Sequence, residues 1–117
     1  MGEWGLMREL SQEFQESFKK WLKEFPDQTR AFLNLLQTVN KPGALDTKTK
    51  ELIAVALSVV AHCKWCIALH VKSALEAGAT PEEIMEASWV AVVMNGGPAL
   101  AYVQLVEKAI KEYTSEK

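Results

Sequence analysis

The stretch from Thr47 to His70, TKTKELIAVALSVVAHCKWCIALH, decides how this chain folds. Its middle is rich in Ile and Val, so by composition it could be a buried strand feeding a helix that opens at CKWC. No partner strand is available, because no other segment alternates apolar and polar residues over strand length. A lone strand would leave its backbone N–H and C=O groups unpaired. The apolar run also continues without a break from TKTKE, whose pattern is helical. The stretch therefore predicts two consecutive helices, Thr47 to about His62 and about Cys63 to Ala77, folded back as an antiparallel hairpin.

Helical spacing extends outward on both sides. Leu10, Phe14, Phe18, Trp21, Leu22 and Phe25 recur three and four residues apart, which predicts an amphipathic helix over 4–24. Pro26 and Asp27 start a second helix over about 27–39, with Phe32, Leu33, Leu35 and Leu36 expected inward. NKPGALD is a loop, and Asp46 or Thr47 can cap the next helix. On the far side Gly78 takes the usual place past a helix end. Thr80, Pro81 and Glu83 form a start signal with a capping box. That fifth helix ends near Asn95, and a sixth runs from Pro98 to about Tyr113. The expectation is an all-α fold of about six helices in one domain, residues 1–117, with a motif-bearing core over about 45–106.

Composition narrows the function classes. Hydrophobic residues make up 49% of the 117 and charged residues 24%, the balance of a globular chain. The net charge is -2 and no dense basic run occurs, which argues against a nucleic-acid partner. Lys19, Lys20 and Lys23 are interleaved with Glu16 and Glu24 and read as a solvated helix face. The opening MGEWGLMREL has no apolar core segment, so no signal peptide is expected. Ala87 to Val106 carries no charge, but NGGP at Asn95 to Pro98 breaks it, so two buried helices are expected and not a membrane span. The expected location is cytoplasmic, where paired cysteines are more often catalytic or metal-binding than structural.

Both cysteines and both histidines of the chain fall in AHCKWCIALH, Ala61 to His70. At about 100° per residue, Cys63, Cys66 and His70 share one face of a helix. Cys63 stands at the helix start, where free N–H groups and the helix dipole favour a thiolate. His70 is one turn beyond Cys66 and can exchange a proton with it. On the preceding helix Glu51, Ser58 and His62 form one stripe flanked by Val55 and Val59, which sets Glu51 beside apolar surface. In a hairpin with a rise of about 1.5 Å per residue, the order along the groove becomes Cys63, Cys66, His70, Glu51. A water could bridge the last gap.

Glu51, eleven residues, Cys63, two residues, Cys66, three residues and His70 make the pattern E-x11-C-x2-C-x3-H. This resembles the active site of the alkylhydroperoxidase AhpD-like branch of the carboxymuconolactone decarboxylase family. The GGPA turn at Gly96 to Ala99 is similar to the family's Gly/Pro helix junction. The resemblance implies a helical subunit assembled into trimers or hexamers, and a cysteine pair that reduces peroxide by cycling between dithiol and disulfide. It implies Cys66 as the attacking thiolate, Cys63 as the resolving thiol, and His70 with Glu51 as a proton relay. No tightly bound cofactor is implied. The electrons would come from an external dithiol, a lipoyl-bearing or thioredoxin-like protein.

Other readings are weaker. Two cysteines can be small buried hydrophobes. A zinc site from His62, Cys63, Cys66 and His70 has the right ligand types, but structural zinc usually joins separate segments, so no metal is expected. Haem attachment needs a histidine directly after the second cysteine, and Ile67 is there. His62 can end the third helix or support the site. Ser58 is expected to bond back to its own helix. Trp65 is expected at a helix junction or subunit contact, and Trp89, Met94 and Tyr102 in the core or at an interface. Two further function classes are a lactone decarboxylase, for which few pocket residues are evident, and a non-enzymatic redox-sensing assembly. The uncharged Ala87–Val106 run, with Trp4, Trp21 and the phenylalanines of the first helix, needs more cover than one chain supplies, so a homo-oligomer is expected.

Overall fold

The computed structural model describes residues 5–115; Trp4, expected at the head of the first helix, lies outside them. Six helices run in order: α1 Leu6–Glu24, α2 Pro26–Asn40, α3 Thr47–Val60, α4 Lys64–Glu76, α5 Pro81–Asn95 and α6 Gly97–Thr114. No strand occurs among the described residues, so the Ile/Val-rich stretch is helical, as its missing strand partner requires.

The hairpin of α3 and α4 is the centre of the fold. α5 packs on α3, α6 closes over α4 and α5, and α1 crosses α4 and α6. Val55 and Val59 from α3 meet Ile67 and Val71 from α4, Ile84 from α5, Val106 from α6 and Met7 from α1, all fully buried. Ala68, Ala74, Ala99 and Ala109 are fully buried in the same core. Each fully buried large aliphatic side chain contributes about 1.5–3 kcal/mol.

Local signals fix the helix ends. Asp46 caps α3, its Oδ1 accepting from the Thr49 N–H at 2.8 Å. Thr80 and Glu83 form a full capping box at α5. After α4, Gly78 adopts φ 98°, its N–H bonds to the Leu75 carbonyl, and the Ala79 N–H bonds to the Ala74 carbonyl. That is a Schellman turn with glycine at its left-handed position.

Two features depart from the periodicity. In α2 only Thr29 is buried; Phe32, Leu35 and Leu36, expected inward, are exposed. The reason is packing: α2 leans chiefly on α1, touches α3 lightly, and has no helix over its remaining sides. The second feature is Glu112, a buried residue of α6. Its carboxylate accepts from the Met7 and Arg8 N–H groups at 3.2 and 2.9 Å, satisfying the first turn of α1 from a distance. Arg8 in return donates to the Glu112 carbonyl at 2.7 Å. Next to it, burial pushes the Tyr113 phenol up, so the group stays neutral and donates to the Ala68 carbonyl of α4 at 2.9 Å. α1 is thereby tied at its N-terminal end to α6, and α6 to α4.

Candidate redox site

The site is built by the turn between α3 and α4. α3 stops at Val60, two residues before the expected end at His62. The His62 N–H bonds to the Val59 carbonyl at 3.1 Å and the Cys63 N–H to the Ser58 carbonyl at 3.1 Å. This is a second Schellman turn, with His62 in the left-handed position at φ 56° where glycine is usual. His62 thus ends α3, one of the two roles open to it.

The turn delivers Cys63 as the N-cap of α4. Its Sγ accepts from the Cys66 backbone N–H at 3.1 Å, filling the capping place that a Ser or Asp oxygen takes in other helices. Cys63 and Cys66 are joined as a disulfide, with Cα atoms 5.2 Å apart. Both are partly exposed.

Glu51, on the first turns of α3, reaches directly across the hairpin. Its Oε1 lies 2.8 Å from His70 Nδ1, so no water is needed between them. Glu51 is 5% exposed, while His70 keeps about a quarter of its side chain open to solvent. A carboxylate oxygen can only accept, so Nδ1 carries the hydrogen. In the neutral ring this leaves Nε2 as the free base. Cys66 is one helical turn before His70 on the same face of α4. Ser58, on the Glu51 stripe, donates to the Ala54 carbonyl at 2.7 Å and so bonds back to its own helix.

The structure joins the four candidate residues in two pairs, Cys63 with Cys66 and Glu51 with His70, and α4 sets His70 one helical turn beyond Cys66. His62 is directed elsewhere: its Nε2 lies 3.0 Å from Asn95 Oδ1 and its ring stacks on Tyr102, centroids 4.8 Å apart. Among the described residues no three His, Cys, Asp or Glu side chains gather as a metal site. Trp65, between the cysteines, makes a contact with α1 that its spacing does not predict. Its indole N–H donates to Glu13 Oε1 at 2.8 Å, and the Lys64 ammonium lies 5.1 Å from its ring. Helical periodicity places residues on faces within one element, and this pairing spans 52 positions of sequence.

Fold and site define a class: an all-helical chain whose central hairpin carries a CxxC pair with a His–Glu contact one turn beyond it. The chain belongs to the carboxymuconolactone decarboxylase family, whose model matches residues 26–108 and so takes in α2 as well as the motif-bearing core. A carboxymuconolactone decarboxylase family protein from Legionella pneumophila superposes with a TM-score of 0.92 at 37% identity, covering 95% of this chain and 99% of that one. A family protein from Thermotoga maritima, described as possibly involved in an antioxidative response, gives 0.79 at 31% identity, covering 87% of each chain. An uncharacterized protein of the cox locus of Paracoccus denitrificans is 56% identical over 72 residues, which is 62% of this chain and 65% of that protein. Alkyl hydroperoxide reductases AhpD also match; that of Mycobacteroides abscessus is 35% identical over 69 residues, 58% of this chain and 39% of the reductase. The chain therefore spans under two thirds of the length of several relatives.

Proposed function

We propose that this protein is a thiol-dependent peroxidase of the alkylhydroperoxidase kind. The observation that carries the reading is the half-buried Glu51–His70 contact one turn beyond a disulfide-forming CxxC pair. His70 Nε2 takes the proton of the Cys66 thiol, while Glu51 holds the Nδ1 hydrogen and stabilises the imidazolium that results. The Cys66 thiolate attacks the outer oxygen of the hydroperoxide. An S–O bond forms, the O–O bond breaks, and the leaving alkoxide takes the proton from His70. Cys63 then attacks the Cys66 sulfenic acid; an S–S bond forms, and hydroxide leaves with the Cys63 proton as water.

The cycle closes when an external dithiol, of the lipoyl or thioredoxin type, supplies two electrons and two protons. The N-cap place of Cys63 favours it as the leaving thiolate when the donor attacks Cys66. The similarity to alkyl hydroperoxide reductases AhpD supports the peroxidase reading. The test is peroxide consumption with dihydrolipoamide and thioredoxin compared side by side. Turnover with either supports the reading; no turnover with both, from protein shown to be reduced, overturns it.

A subunit interface belongs to the same proposal. Val90, Val93 and Met94 on α5 are 63%, 82% and 79% exposed, and Leu57 on α3 is 61% exposed. Side chains this apolar are seldom left in water as a group. We read these outer faces as the contact between copies in a homo-oligomer, a trimer or hexamer.

A further inference from the structure

Building on the thiol–disulfide reading above, we infer that His62 is a positioning residue for the cysteine pair: its imidazole, held by Asn95 and Tyr102, locks the left-handed turn that sets Cys63 at the head of α4. Three independent observations converge on this residue. The first is its backbone. Among the described residues other than glycine, His62 alone has a positive φ, 56°. A side chain makes that conformation unfavourable, so something outside the turn must hold it. Glycine serves at the equivalent place after α4, where no such contact is required.

The second observation is what holds it. The ring lies nearly parallel to Tyr102 of α6, with 11° between the planes, and bonds to Asn95, the last residue of α5. The α3–α4 turn is thereby clamped to the α5–α6 junction. Gly96, at φ 76°, makes that junction a tight break between the helices. Asn95 and Tyr102 thus stand at a fixed point of the scaffold, the usual requirement for a precise site.

The third is the role of the adjacent residue. The Cys63 N–H completes the turn that His62 begins, and Cys63 Sγ then caps α4 by accepting from the Cys66 N–H. With Cys63 leaving the turn in this direction, its Cα lies 5.2 Å from that of Cys66 and the two sulfurs are joined. A free CxxC loop must be ordered each time the disulfide closes, and a clamped one is ordered beforehand. The imidazole therefore acts on the cysteine pair through the backbone, with no need to touch peroxide. A tight turn alone would be served better by glycine; the ring has a use only if its two side-chain contacts matter.

The test is the dithiol–disulfide equilibrium in a buffer of reduced and oxidised dithiothreitol, read by alkylation and mass spectrometry. In this exchange Cys63 and Cys66 give two electrons and two protons to the cyclic disulfide of the oxidised reagent, which becomes the free dithiol. The variants are His62→Gly, which adopts the turn without strain but loses both contacts, and Tyr102→Leu, which removes the stack and leaves the turn sequence intact. Loss of a ring stack and a hydrogen bond should lower the equilibrium constant for disulfide closure about tenfold in His62→Gly, and less in Tyr102→Leu. His62→Asn, which tolerates the left-handed turn but cannot stack, should fall between wild type and His62→Gly. Thermal midpoints of the same samples separate this from a simple loss of stability. A wild type that cycles beside variants with an unchanged equilibrium constant overturns the inference alone. A wild type whose cysteines never exchange overturns the thiol–disulfide reading and the inference with it.

Discussion

Replacing Glu51 by Gln separates the chemistry of the site from its packing. The residue is 5% exposed, so the substitution must preserve volume, which Gln does. The amide oxygen of Gln can still accept from His70 Nδ1 at the present 2.8 Å separation. What is lost is charge. A hydrogen bond to a charged group contributes about 1.5–3 kcal/mol and one between neutral groups about 0.5–1.5, so folding should lose about 1 kcal/mol. For a chain of this size that lowers the thermal midpoint by about 4 °C. The catalytic cost should be larger. An amide cannot stabilise the imidazolium formed when His70 takes the thiol proton, and general acid–base groups are typically responsible for about 10²–10⁴ in rate. A fall of about 100-fold corresponds to about 2.7 kcal/mol in the barrier. Peroxide consumption with a saturating dithiol, alongside calorimetry of the same sample, reads both numbers. Turnover within a few-fold of wild type would return Glu51 to a structural role, as would equal losses of activity and folded protein.

The same geometry predicts other outcomes. Cys66→Ser should abolish peroxide turnover, whereas Cys63→Ser should permit one oxidation and leave a sulfenic acid that a dimedone probe captures; first-step loss in Cys63→Ser alone would exchange the two roles. The exposed α5 face predicts that light scattering gives a mass several times 13.1 kDa, and that Val93→Asp shifts it toward a single chain; a folded wild-type monomer at micromolar concentration would contradict the interface. Hydrogen bonds from Thr49 hold the Asp46 carboxyl below its ordinary 3.8, and those from Thr80 and Lys48 hold Glu83 below 4.5. Both shifts are downward, so their stabilisation is present above those values and is lost as pH falls through the lower folded-state values. The urea midpoint should therefore be steady from pH 7 to about 5 and decline below about 4, and an Asp46→Asn, Glu83→Gln double variant should decline less. Asp46 is exposed and Glu83 partly so, so added salt should shrink the difference.

Much of this molecule was legible in local chemistry. Thr80, Pro81 and Glu83 mark the start of α5 because a capping box is made by residues three apart. Cys63, Cys66 and His70 fall on one face because a helix fixes angles from spacing alone. Contacts between elements were less accessible. Axial rise sets His70 and Glu51 apart along the groove, but it ignores the reach of two long side chains, which meet directly. The inward face expected of α2 is open because periodicity shows that a face is apolar and not what covers it. Glu112 at the N-terminus of α1, and Glu13 at Trp65, join positions 105 and 52 residues apart, which no local pattern encodes. The early end of α3 was hidden because His62 occupies a conformation that glycine ordinarily signals.

The central claim is that Cys63 and Cys66 together reduce a hydroperoxide. Its most direct test is to mix the fully reduced protein with one equivalent of cumene hydroperoxide and no reductant, quench with an alkylating agent, and weigh the intact chain. The account predicts loss of two hydrogens per chain, no alkylated cysteine, and one equivalent of the corresponding alcohol. Two alkylated thiols beside unconsumed hydroperoxide would contradict it.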